Sequence, residues 1–169
     1  MPMAAVEVFR SLHILFAVLW AGAGIFKGVL LPAAAARSGD AGARMRQAYL
    51  ASGVNGPFMG IAALGTIGFG AAAYGTGGFF ERDAGSLAAM RLNLGVLAGL
   101  AAFLHGLAGH MPLEKKAAPL AARALAGNLD GADTTLLAGY ERRLARADKV
   151  SLALIAVALV TMTSYAWFF

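Results

Sequence analysis

Four residues that could do chemistry lie within or at the ends of long apolar stretches of this sequence. His13 and Lys27 lie in the stretch 11–32, SLHILFAVLWAGAGIFKGVLLP, and Arg91 and His105 lie in a later one. Within each pair the imidazole and the cation are 14 residues apart, since 27 − 13 = 14 and 105 − 91 = 14. A neutral imidazole suits a metal or haem iron, and a nearby cation suits an anionic group such as a haem propionate.

Helical spacing places each pair on one face of its helix, because positions alternating three and four residues apart are neighbours. One row is His13, Ala17, Trp20, Gly24, Lys27, Leu31, and the other is Arg91, Gly95, Ala98, Ala102, His105, Gly109. If the two helices run in the same direction, His13 lies at the depth of Arg91 and Lys27 at the depth of His105. The sequence predicts two inward-facing polar levels about 21 Å apart.

The composition predicts that the elements carrying these residues lie in a membrane. Of 169 residues, 59% are hydrophobic and 14% are charged, and the mean hydropathy is +0.68. Soluble domains carry about 25% charged residues. The net charge of +5 is therefore interpreted through membrane topology, and nucleic-acid binding is not expected. The absence of cysteine excludes disulfides and thiolate metal sites and leaves three histidines as nitrogen ligands.

Four apolar segments have the length of membrane spans, at residues 11–35, 48–75, 87–111 and 150–169. Continuous apolar runs of this length favour helices over barrel strands. The expected fold is an all-α, up-and-down four-helix membrane bundle in a single domain, 1–169. Lys27 interrupts the first apolar run, which favours a retained span over a cleaved signal peptide.

The basic residues of the connections predict the orientation. Three Lys or Arg lie in 36–47 and seven in 112–149, whereas the opposite side carries three, Arg10, Arg82 and Arg91. The positive-inside rule places both basic connections in the cytoplasm of a bacterial-type inner membrane, with both termini outside. The connection 76–86, TGGFFERDAGS, is then on the outer side.

The end of the long basic connection is expected to be helical. Asp133 is a candidate N-cap for a helix that starts at Thr134 and continues into the fourth span, giving about 35 residues or about 52 Å. The segment before it, PLEKKAAPLAARALAG, fits a basic amphipathic helix on the membrane surface and equally a solvated linker.

Each candidate also has a plain structural explanation. Lys27 can extend its stem to the interface, Arg91 can anchor the end of its span, and His13 and His110 can lie at the wet interface. The Gly-xxx-Gly patterns fit tight helix packing as well as space for a flat cofactor. The acidic residues lie in connections or at span ends, which lowers the weight of hydrolases and of proton pumps that use buried carboxylates.

The first span, LHILFAVLWAGAGIF, with His13 seven residues before a Trp-x-Gly, resembles the first helix of HemJ-type protoporphyrinogen oxidases and of related CopD-like membrane proteins. Arg91 and the segment FLHGLAGH around His105 are similar to the basic start and histidine end of the third helix in that pattern. The resemblance implies a four-helix bundle that binds haem b, with His13 as the family-type histidine. Arginine stands here where HemJ-type proteins carry lysine.

The leading hypothesis is an inner-membrane, haem-b-binding protein in redox or porphyrin-oxidation chemistry. The resemblance implies an oxidoreductase of the protoporphyrinogen oxidase type. The candidate cofactor-binding residues are His13, His105, Arg91, Lys27 and Trp20, with His13 and His105 as the metal ligands. One alternative is a non-catalytic accessory subunit of a larger respiratory or photosynthetic complex, or a homo-oligomer in the bilayer. Another is copper or small-solute transport that uses Met59 and the histidines.

Overall fold

The structure is a computed structural model that describes residues 3–77 and 86–166. The described residues form helices joined by short breaks, and they include no β-strand. The helices are α1 (Met3–Ile25), α2 (Leu31–Arg37), α3 (Gly39–Ala51), α4 (Asn55–Thr76), α5 (Leu87–His105), α6 (Met111–Leu125) and α7 (Gly131–Ala166). The all-α prediction is confirmed. Most of the connection predicted at 76–86 lies outside the described residues.

Two of these helix pairs are continuous rods. A π-helical turn, Phe26–Leu30, joins α1 to α2, and a second, Gly106–His110, joins α5 to α6. Within the described residues, three helices are long and apolar enough to cross a bilayer: Ala4–Arg37, Asn55–Thr76 and Leu87–Leu125. This agrees with the expected membrane protein. The fourth predicted span, 150–169, falls in α7, and its last three residues are not among those described.

The apolar helices pack as two neighbouring pairs. α1 lies along α4, α5 lies along α7, and the pairs meet mainly where α1 contacts α7. Small residues allow this approach: a methyl group built on Gly24 would lie 3.5 Å from Ile155, and one on Gly28 would lie 3.6 Å from Asp148. Trp20 and alanines from α1, α4 and α5 form the buried core together with Ile155. The inward rows predicted for the first and third spans are buried over much of their length. The buried members are Trp20, Gly24, Lys27 and Leu31 in the first row and Gly95, Ala98 and Ala102 in the second.

A second core lies beyond the apolar bundle. It forms where α6 packs between α3 and the first half of α7, around Ala117, Leu120, Ala121, Leu137 and Leu144. We call α2, α3, α6 and residues 131–149 of α7 the basic cap. The connections predicted at 36–47 and 112–149 are therefore mostly helical. The helix expected in PLEKKAAPLAARALAG is present as α6, and its place at a membrane surface stays a prediction.

The last helix is continuous over 36 residues, as the sequence predicted. Its predicted cap was wrong, because Asp130 caps it instead: the Asp130 carboxylate accepts from the Asp133 backbone N–H at 2.7 Å. Asp133 forms an ion pair with Arg123, 2.6 Å between Nη1 and Oδ2. The predicted second span also differs, since residues 52–54 interrupt it and Gly53 has φ of +66°, a conformation that favours glycine.

Candidate functional site

The site is built at the two π-turns. Each ends two residues before a proline, the first before Pro32 and the second before Pro112. Proline has no backbone N–H, and its ring collides with the carbonyl four residues earlier. One wider turn relieves this conflict, as π-bulges commonly do at functional sites. The first π-turn carries Lys27 and the second carries His110, and both side chains are buried.

Lys27 and His110 meet at one carboxylate oxygen of α7. Asp148 Oδ1 lies 3.0 Å from Lys27 Nζ and 2.8 Å from His110 Nε2. Lys27 Nζ and His110 Nε2 are themselves 2.9 Å apart. Three titratable side chains from three chain segments therefore form a triangle of hydrogen-bonding atoms at the junction of the apolar bundle and the basic cap.

The second ring nitrogen of His110 faces a different carboxylate. Nδ1 lies 3.4 Å from Glu114 Oε1, one helical turn further along α6. Glu114 also accepts a hydrogen bond from the Asn55 amide at the start of α4, and Asn55 Oδ1 accepts from the Tyr49 hydroxyl at 2.7 Å. We call Lys27, His110, Glu114 and Asp148 the charged cluster, with Asn55 and Tyr49 as its extension into the cap.

The electrostatics of the cap side follow from burial and charge. Burial alone would raise the pKa of Asp148, but the hydrogen bond from His110 and the charge of Lys27 outweigh it, so the pKa lies below its ordinary value. Burial, together with the negative charges of Glu114 and Asp148, raises the pKa of Tyr49 to about 12. The cluster thus keeps Asp148 ionised and Tyr49 neutral across the physiological range.

A small internal cavity adjoins the charged cluster. Its volume is about 60 Å³, and its walls include Lys27, Asn55, His110, Glu114 and Ser151 opposite apolar side chains such as Trp20 and Met59. A cavity needs roughly 10–15 Å³ of such volume for each water, together with polar partners. This one has room and partners for a few water molecules.

His13 lies away from this cluster, between α1 and α4. Its Nδ1–H donates to the backbone carbonyl of Thr66 at 2.7 Å. The ring occupies the space beside Gly70, where a methyl group would come within 2.7 Å of Nδ1. The glycine therefore leaves room for the imidazole, and the hydrogen bond places a proton on Nδ1.

The remaining predicted residues are placed as follows. His105 Nε2–H donates to the Ala147 carbonyl at 3.2 Å, so this ring does not meet Lys27 as expected from the spacing. Arg91 is half-buried in the first turns of α5. Trp20 is 7% exposed and belongs to the apolar core. His110, expected at a wet interface, is 6% exposed and lies in the charged cluster, and that expectation was wrong.

The hydrogen bonding of His13 suits a haem ligand, but the cavity beside the charged cluster has no room for a haem. His13 fits an axial ligand, because its second nitrogen is held by a carbonyl as in most metal-bound histidines. The cavity of about 60 Å³ beside the charged cluster is lined by neither His13 nor His105, and it is too small for a macrocycle. Sites for molecules of that size measure roughly 300–1,000 Å³. Among the described residues, no group of three or more His, Asp or Glu side chains is arranged to hold a metal ion.

The sequence prediction missed the acidic half of the site. Glu114 and Asp148 are 17% and 13% exposed at the side chain and flank one imidazole, although both were placed in a connection. The available signal was the pair of X-Pro steps at Pro32 and Pro112, which mark where the helices adjust their register. Comparisons with family models, curated proteins and solved structures find no match to this chain.

Proposed function

We propose that the chain is a four-span protein of a bacterial-type cytoplasmic membrane, with the last part of α7 as the fourth span. Large apolar side chains such as Leu97, Leu104 and Val160 are 60% or more exposed around the bundle, which suits contact with lipid. The basic residues are concentrated in the cap, outside the apolar bundle. By the positive-inside rule the cap is cytoplasmic and both termini are outside.

We further propose that it carries out redox or porphyrin-oxidation chemistry at a b-type haem held by His13, as the HemJ-type resemblance implies. The observation that supports this is the hydrogen bond from His13 Nδ1 to Thr66 O at 2.7 Å. It fixes the ring orientation and directs the basic electron pair to Nε2, which is the arrangement that raises ligand strength. A bound haem would supply one-electron transfer.

The cations have separate roles in this proposal. Lys27 is held by Asp148 and by the ring of His110, so its charge is already balanced inside the protein. We assign the neutralisation of a cofactor carboxylate to Arg91, because the helical spacing places it at the depth of His13, and not to Lys27. His105, whose Nε2 is bound to a backbone carbonyl, is a structural histidine in this proposal rather than a second axial ligand.

An absorption spectrum of the purified protein, oxidised and then reduced after haem supplementation, tests the proposal. The wild-type chain and His105→Ala should show a Soret band that shifts on reduction. His13→Ala should lose the band or bind haem at least about tenfold more weakly, since an iron ligand is gone. A wild-type protein without a Soret band, or a band that survives in His13→Ala, overturns the proposal.

A second candidate function is a non-catalytic subunit of a larger membrane complex, favoured by the surface of the cap. Ten exposed basic side chains lie there against two exposed acidic ones, Asp40 and Asp130. The basic ones are Arg37, Arg44, Arg46, Lys115, Lys116, Arg123, Arg142, Arg143, Arg146 and Lys149. Co-purification of an acidic partner in mild detergent, lost on reversing Arg142 and Arg143 to Glu and unaffected by His13→Ala, would support this function over the first.

A further inference from the structure

The charged cluster holds an unequal number of fixed charges. Lys27 contributes one positive charge, and Glu114 and Asp148 contribute two negative ones, so with neutral His110 the formal sum is −1. A proton on His110 brings the sum to zero. An uncompensated buried charge is costly, because the surroundings replace water only in part. The composition of the cluster therefore leaves a place for one further positive charge.

Each protonation state of His110 has hydrogen-bond partners in the triangle, with a small shift between the two, because an unprotonated Nε2 is repelled by Asp148 Oδ1 at 2.8 Å and a protonated one by Lys27 Nζ at 2.9 Å. In the neutral state Nε2 accepts a hydrogen bond from Lys27 Nζ at 2.9 Å while Nδ1–H faces Glu114. In the protonated state Nε2–H donates to Asp148 Oδ1 at 2.8 Å and Nδ1–H again faces Glu114. Lys27 donates to Asp148 Oδ1 in both states. Gain or loss of a proton at Nε2 thus exchanges one hydrogen bond for another inside the same triangle.

The groups facing His110 come from every element around it. Lys27 comes from the first π-turn, Asp148 from α7, Glu114 from α6, and Asn55 with Tyr49 from α4 and α3 through the Glu114 carboxylate. His105 is turned to the Ala147 carbonyl, and Arg46 is paired with Glu141 on the cap surface. Among the described side chains no buried polar atom of this region lacks a partner, so the network is complete in its present state.

We propose that the charged cluster is a proton-binding site that takes up and releases one proton at His110 Nε2. The adjoining cavity of about 60 Å³ has room for the water that delivers and accepts the proton, and it is lined by His110, Lys27 and Ser151. On uptake an O–H bond of a protonated water breaks and the Nε2–H bond forms, and release is the reverse. No electron transfer is involved, so the site is independent of haem binding at His13.

Nitrogen NMR of histidine-labelled full-length protein in lipid bilayers tests this directly, because the chain has three histidines and the ring signals separate neutral from protonated imidazole. His13→Gln and His105→Gln assign the His110 signals. We expect the His110 ring to gain one proton as the bilayer sample is acidified, and the signals of its two nitrogens report this change. His105, whose ring meets a carbonyl and no carboxylate, is the internal reference.

Three variants show whether the cluster controls the proton. Asp148→Asn and the isosteric Glu114→Gln remove a negative neighbour, so protonation of His110 should need about three- to tenfold more acid. Lys27→Met removes a positive neighbour, so it should need about tenfold less. Lys115→Met and Asp133→Asn, changes of the same kind on the cap surface, should leave the transition in place. A His110 ring that keeps one state from pH 9 to pH 5, or a transition that none of the three cluster variants moves, overturns the proposal.

Discussion

His13 and His110 are both imidazoles in apolar helices, yet the structure treats them in opposite ways. His13 is held by one backbone carbonyl, that of Thr66, in a space left by Gly70. His110 is held by charged side chains on both ring nitrogens, Asp148 and Lys27 at one and Glu114 at the other. The first arrangement holds the ring at one nitrogen through the backbone, and the second places charged side chains at both ring nitrogens.

A polar residue in an apolar helix can be held by the backbone and local shape or by other charged side chains, and the two cases differ in what they depend on. A ring that donates one hydrogen bond to the backbone depends on local shape, here on one glycine. A ring in an ion cluster depends on every charge around it, because removing one member leaves the others buried without compensation. The two regions should therefore respond to different substitutions and by different amounts.

The largest effect is expected from Asp148→Ala, which removes the one oxygen that both Lys27 and His110 contact. Breaking a buried ion pair by deleting one partner costs about 3–5 kcal/mol, since the remaining charge stays desolvated. Thermal or denaturant unfolding in detergent, followed by circular dichroism, measures the loss. Acid should reduce the difference in the free energy of unfolding between the wild-type protein and Asp148→Ala. The pKa of Asp148 is lowered in the fold, so its contribution is present above about pH 4 and fades as the pH falls through that lower value.

Asp133→Ala is the matched control for this substitution. Asp133 also forms an ion pair, but with Arg123, and the two side chains are 22% and 49% exposed on the cap. Exposed pairs contribute about 0–1 kcal/mol. Equal losses for Asp148→Ala and Asp133→Ala would contradict the view that the charged cluster is the electrostatic centre of the molecule.

A smaller effect is expected at the His13 side from Gly70→Ala. The new methyl group would lie 2.7 Å from His13 Nδ1, so the ring has to leave its hydrogen bond with Thr66. Overpacking of this kind costs about 1–3 kcal/mol. Gly68→Ala, on the same helix with nothing within 4 Å, should be neutral or slightly stabilising. If the two variants unfold alike and leave the His13 ring signal unchanged, the described support of His13 is wrong.

The sequence predicted the helices and the inward rows well because both follow from apolar run length and helical spacing. It placed Lys27 on an inward face, where the side chain is buried, but it paired Lys27 with His105 at the same depth. The second π-turn explains the error. Five residues in one wide turn add one position to the register, so His110 takes the inward place that spacing assigned to Gly109.

The acidic partners were not predictable from span length alone. Glu114 and Asp148 belong to helices that continue out of the apolar bundle into the cap, and a hydropathy pattern places such residues in solvent. Their burial depends on α3, α6 and α7 packing around a second core, which includes Leu120 and Leu137. Tertiary packing of the cap, rather than any local pattern, decides the charge state of the site.

The smallest effect, and the sharpest probe of the cap side of the cluster, is expected from Tyr49→Phe. The substitution removes the 2.7 Å hydrogen bond to Asn55 and should cost about 1 kcal/mol near neutral pH. Because the pKa of Tyr49 is raised to about 12, the neutral phenol stabilises the fold below about pH 10, the unfolded value, and this contribution is lost as the pH rises towards 12. Phenolate absorbance should show one of the four tyrosines ionising late in the wild-type protein and this late step missing in Tyr49→Phe. A Tyr49 that ionises together with the others would mean that burial and the negative charges of Glu114 and Asp148 do not act on the Tyr49 hydroxyl, and the described extension of the charged cluster would be wrong.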